Sequence, residues 1–131
     1  MSKTIFNPQS AIIEVDIILY GEGGVKRRIK AALDTGATYT MIPWEIAEAL
    51  GYKPEISKEK VTLITASGVE TAPVIEIKKI KFLDENVDNV PVVCHDLPPK
   101  SYVVGLLGSS FLKHFKILID YRKGLLEITR E

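Results

Sequence analysis

Apolar and polar positions alternate most cleanly at residues 11–20, where Glu14 and Asp16 separate Ile13, Val15 and Ile17. That period of two predicts a half-buried strand. Glycines at 21, 23 and 24 turn the chain into a second run, 25–33, basic at Lys26, Arg27, Arg28 and Lys30 and apolar at Ala31-Ala32-Leu33. Two runs joined by a Gly-rich tetrapeptide predict a β-hairpin. The basic cluster on its second arm reads as a solvated edge that discourages aggregation, not as a nucleic-acid patch.

Further on, Pro43 suits the first position of a short helix, residues 44–50 propagate it, and Gly51 stops it. Residues 61–65 and 69–77 predict two strands around Ala66-Ser67-Gly68, with Gly68 supplying the positive φ of a tight hairpin. Pro73 places the second arm near an edge or an irregularity. Residues 78–83 continue β-like, 84–89 read as an acidic turn, and 90–94 as another strand. A glycine-punctuated apolar run, 103–108, leads into residues 109–115, where Phe111, Leu112 and Phe115 have helical spacing. A hairpin at 117–129 closes the chain. Strand, glycine turn and short helix occur in that order at 33–50 and again at 106–115, a topological repeat without sequence identity. The expected class is mostly β with two short helices.

The 131 residues carry 17 Lys+Arg and 17 Asp+Glu, and 46% are hydrophobic. This balance excludes a disordered chain and predicts one domain over 1–131, large enough for its own core. A neutral charge argues against nucleic acid as a partner. The single cysteine, Cys94, excludes an internal disulfide framework and is compatible with a reducing compartment. Residues 1–8 lack a signal-like apolar core, and the longest uncharged stretch, 101–112, is shorter than the ~18 residues a membrane span needs. The expectation is a soluble cytoplasmic protein without a membrane partner.

Asp34 is the residue that needs a reason. It leaves a strand end, Ala31-Ala32-Leu33, that should be buried, and a carboxylate there is costly unless it is hydrogen-bonded or neutralised. Gly36 permits a sharp turn and close approach, and Thr35 offers a hydroxyl from a stiff side chain. Other candidates have plainer readings. Cys94 and His95 point to opposite faces of a strand, so a packed thiol beside a surface imidazole is preferred to a metal site or a nucleophilic pair. Ser109-Ser110 lacks the nucleophile-elbow pattern and reads as helix capping. The glycines at 21–24 lack the following Lys-Ser/Thr of a phosphate loop. Asp120 and His114 read as structural, and Trp44 as packing at the helix start.

The segment Ala32-Leu33-Asp34-Thr35-Gly36-Ala37 resembles the active-site motif of aspartic proteases. Leu106-Leu107-Gly108 with the following helix is similar to their second diagnostic element, and the hairpin at 61–77 sits where the family carries its flap. A single short copy is similar to retroviral-type (retropepsin-like) enzymes, in which two chains each supply one aspartate. The resemblance spans residues 12–128. It implies a single-lobe, closed-barrel acid-protease fold, and an endopeptidase acting on peptide or protein substrates as a homodimer without metal or cofactor. By motif, Asp34 is catalytic and binds the attacking water, and Thr35, Gly36 and Ala37 form the active-site loop. Thr65, Ala66, Ser67 and Gly68 form the flap tip, and Leu107 and Gly108 support the loop from beneath. Two carboxylates sharing one proton imply activity on the acid side of neutrality. The flap tip is less glycine-rich than in viral relatives, and Thr38 stands where those often carry an acid. The same fold would also serve a non-catalytic dimeric peptide-binding domain.

Overall fold

The computed structural model describes residues 1–130. In chain order the strands are β1 (Ser2–Ile5), β2 (Glu14–Tyr20), β3 (Lys26–Leu33), β4 (Thr40–Ile42), β5 (Lys60–Thr65), β6 (Gly68–Phe82), β7 (Glu85–Cys94), β8 (Gly105–Leu107), β9 (Phe115–Asp120) and β10 (Leu125–Arg130). Short helices α1 (Trp44–Ala49) and α2 (Ser109–Leu112) follow β4 and β8. Strands dominate, as the alternation predicts.

The order β2-β3-β8-β4-β7-β6 returns to β2 through a β2–β6 pairing, so these strands form a closed ring. Within it β3 runs parallel to β8, with Leu33 opposite Leu107, and β4 runs parallel to β7, with Thr40 opposite Val92. The two strand–turn–helix units are therefore interleaved, each strand of one lying beside a strand of the other. Ile17, Leu19, Ile42, Phe82, Leu107 and Phe111 fill the interior and are almost fully buried. Each such side chain contributes about 1.5–3 kcal/mol of transfer free energy.

β5 stands outside the ring and pairs only with the first part of β6, from Thr65–Gly68 to Lys60–Pro73. The next residue, Val74, pairs with Val93 of β7. Pro73 thus lies where β6 passes from one partner to the other, a place for a residue with no N–H to donate. A smaller apolar cluster of Ala72, Val74 and Val93, packed by Tyr39, Met41, Val61 and Leu63, lies under this hairpin.

Several sequence expectations need correction. β6 is one continuous strand, and residues 85–89 belong to β7, not to a turn; only Leu83 and Asp84 turn. The misreading has a cause. Ile77 and Ile80 are both buried, as are Val87 and Val90, so the alternation inverts at Lys78 and Asn89. Asn89 adopts a positive φ of 55° there, and the Tyr52 hydroxyl accepts the Lys78 N–H at 2.9 Å while donating to the Tyr20 carbonyl at 2.7 Å. The second helix ends at Leu112, because Phe115 opens β9. Pro43 precedes α1 with extended backbone and is not its first helical residue. β1, which sequence reading did not anticipate, pairs with β10, and β10 with β9, in a separate three-stranded sheet.

Candidate active site

The Asp34 loop grows from a change of partner along β3. Its basic half, from Lys26 to Lys30, pairs with β2, whereas Ala31, Ala32 and Leu33 lie between β2 and β8 and are buried. The Asp34 N–H continues this ladder to the Leu107 carbonyl at 3.0 Å. The chain then turns on itself. Asp34 Oδ1 accepts the Gly36 N–H at 3.0 Å, and the Asp34 carbonyl accepts the Ala37 N–H at 3.2 Å. One carboxylate oxygen is therefore engaged by the loop's own backbone, and Asp34 stays half-buried. Thr35 is exposed, and among the described residues its hydroxyl has no partner.

A second set of bonds locks this loop to the start of α2. The Ala37 carbonyl accepts the Ser109 N–H at 2.7 Å, and Thr40 Oγ1 accepts the Gly108 N–H at 3.1 Å. The Thr40 N–H in turn donates to Ser110 Oγ at 2.9 Å. Gly108 is needed for this approach, since a Cβ there would strike the Tyr39 carbonyl oxygen and lie 2.9 Å from that of Ala37. Ser110 is thus not a helix cap: Gly108 occupies that position, with no side-chain cap bond. Sequence reading passed over Thr40 and assigned Ser110 to capping; a hydroxyl residue within the apolar run 39–42 is the one trace of their contact.

At the tip of the β5–β6 hairpin the Thr65 hydroxyl accepts the Ser67 N–H at 3.2 Å and donates to the Gly68 carbonyl at 3.2 Å. Gly68 has a φ of 121°, as its place in the hairpin requires. Thr65, Ala66 and Ser67 line a cavity of about 580 Å³ with Met41, Leu106 and the loop Leu97-Pro98-Pro99. A neighbouring cavity of about 410 Å³ is walled by Ala37, Thr38, Tyr39 and Val61. Met41, Leu63 and Leu106 border both, so the β5–β6 hairpin and the segment Ala37-Thr38-Tyr39 share an apolar ridge, while Asp34, Thr35 and Gly36 line neither cavity. Neither Met41 nor Tyr39 was singled out from the sequence.

The sequence matches over residues 24–114 the family model described as "gag-polyprotein putative aspartyl protease". The chain belongs to this family. Among solved structures it is similar to a retropepsin-like aspartic protease from Rickettsia conorii, with a TM-score of 0.71 and 27% identity over 96% of this chain and 87% of that one. It also matches the simian foamy virus protease, with a TM-score of 0.49 and 21% identity over 76% of this chain and 91% of that one. No curated protein matches by sequence. The closed ring of strands with β5 outside it is thus a retropepsin-like fold.

Other polar groups of this aspartic-protease domain sit apart from that loop. Cys94 is fully buried, and burial pushes its thiol up to about 12. Asp120 accepts the Lys123 N–H at 3.0 Å in the turn after β9. His95, expected from sequence as a surface imidazole, is half-buried and contacts Glu70 of β6. No helix among the described residues is long and apolar enough to cross a membrane.

Proposed function

We propose that the chain is an aspartic endopeptidase that works as a homodimer, each subunit contributing Asp34 to a pair that activates water. One observation carries this reading. The carboxylate of the chain's one Asp-Thr-Gly segment, in an aspartyl-protease family, is held by the backbone of its own loop while that loop is tied into the core. One aspartate cannot both deprotonate water and donate a hydrogen bond to the scissile carbonyl. Two that share a proton can, because like charges about 3 Å apart do not ionise together. Thr35, exposed beside Asp34, would bond to the partner's loop, and Gly36 and Ala37 would face the substrate backbone. The flap tip, residues 65–68, would close over an extended peptide and exclude water. Leu107 and Gly108 hold the loop from beneath. Retention of one proton by the pair places activity on the acid side of neutrality.

The test is turnover of a diverse peptide library by purified protein and by Asp34→Asn, with solution mass measured across concentration. Loss of at least ~10²-fold in turnover is expected, in line with general acid–base catalysis. Cleavage that survives Asp34→Asn would overturn the proposal. Peptide binding without turnover in the unsubstituted protein would favour the dimeric binding domain instead.

A further inference from the structure

Beyond its base, among the described residues, the flap touches the body through one polar contact that the catalytic reading leaves unused. Glu70 lies on the returning arm of the hairpin, opposite Leu63. Its Oε2 is 2.9 Å from Nε2 of His95, the residue that follows β7. Among the described residues, the hairpin's other side-chain hydrogen bonds, at Thr65, are internal to its tip.

The His95 end is fixed. Its backbone N–H donates to the Ile42 carbonyl at 3.0 Å, and its Nδ1 lies 2.9 Å from the Asp96 carbonyl oxygen. The Asp96 carboxylate is occupied in turn by the Trp44 N–H at 3.3 Å, at the start of α1. A corner of the body tied by these bonds therefore holds a ring that reaches the hairpin. Glu70, His95 and Asp96 are the titratable groups on the wall of the 580 Å³ cavity; β4 and β8 contribute Met41 and Leu106 there.

The partners of the ring set the hydrogen bonds it is asked to make. A backbone carbonyl and a carboxylate can only accept. A neutral imidazole has one N–H, so either tautomer leaves a ring nitrogen facing an oxygen without a proton between them. Only the imidazolium satisfies both contacts. Histidine is also the side chain whose charge ordinarily changes between pH 5 and 8.

We infer that His95 and Glu70 are positioning residues forming a proton-dependent latch, closed in acid, that holds the flap hairpin over the apolar cavity. The inference rests on the protease reading only for its purpose, the retention of substrate under the flap. The latch itself is a property of the free chain.

Amide exchange of residues 60–72 in the free protein, corrected for intrinsic rates from pH 5 to 8, tests it. Unsubstituted protein should lose hairpin protection by roughly two- to fivefold as pH rises, the range for a partly exposed ion pair. Glu70→Ala should show the low level at every pH. His95→Gln, which keeps a donor but does not titrate, should show intermediate, pH-independent protection. Peptide KM should rise in Glu70→Ala at pH 5 with kcat nearly unchanged. Equal hairpin exchange in Glu70→Ala and unsubstituted protein at pH 5, or a pH dependence that survives Glu70→Ala, would overturn the latch. The exchange arm needs no turnover, so a latch found in a protein that cleaves nothing would sink the protease reading alone.

Discussion

Replacing Thr40 by valine isolates one hydrogen bond beneath the Asp34 loop. Thr40 is fully buried, and valine keeps its shape, so no cavity opens and no apolar contact is lost. What disappears is the acceptor for the Gly108 N–H, 3.1 Å away. Gly108 is itself buried, and its approach to the Tyr39 and Ala37 carbonyls fixes the backbone where it is. An unsatisfied buried donor costs about 1–3 kcal/mol. With an unfolding entropy of about 2.1 cal/mol/K per residue, a chain of 131 residues should lose roughly 4–11 °C in Tm. Urea unfolding at fixed protein concentration is the sharper assay, because any dimerisation would make the midpoint concentration-dependent. The midpoint should fall with an unchanged m-value. Stability within ~0.5 kcal/mol of the unsubstituted protein, the range of ordinary surface changes, would refute the claim that this bond locks the two loops together.

Three further outcomes follow from the structure. Gly108→Ala meets no torsional obstacle, since Gly108 is extended at φ −110°, but its methyl collides with backbone carbonyls; the expected loss is about 1–3 kcal/mol together with reduced peptide turnover, read by thermal melts and a cleavage assay. Cys94, with its thiol raised to about 12 from an ordinary 9.0, should resist iodoacetamide at pH 8 in the native state and react once urea unfolds the chain. Because the folded value is the higher one, its contribution to stability is complete below pH 9 and fades as pH climbs toward 12. Cys94→Ala should flatten that alkaline decline, and rapid native labelling would contradict the buried placement.

The contiguous parts of the molecule were legible from sequence. Asp34-Thr35-Gly36 announced a carboxylate at the end of a buried strand, and Gly68 announced the turn of the β5–β6 hairpin. Leu106-Leu107-Gly108 marked the second loop. Contacts between distant residues left little trace. Nothing local links Thr40 to Ser110, or Glu70 to His95, because each pair meets only after β4, β7 and β8 have been laid side by side. The phase inversion at Lys78 and Asn89 hid most of β7's first half, since a period-two reading assumes that the phase persists. β1 escaped notice because its alternation is short and only Ser2 is buried, a polar residue where a core position would be sought.

That first strand has a consequence for how the polypeptide matures. Ser2 sits opposite Ile128, so two strands separated by almost all of the described residues must find each other. Pairings this remote in sequence are slow to close, and an unsatisfied strand edge is adhesive while it waits. The ring around Asp34 draws on segments nearer to one another in the chain, whereas β1 reaches β10 only by closing a loop that encloses the whole ring.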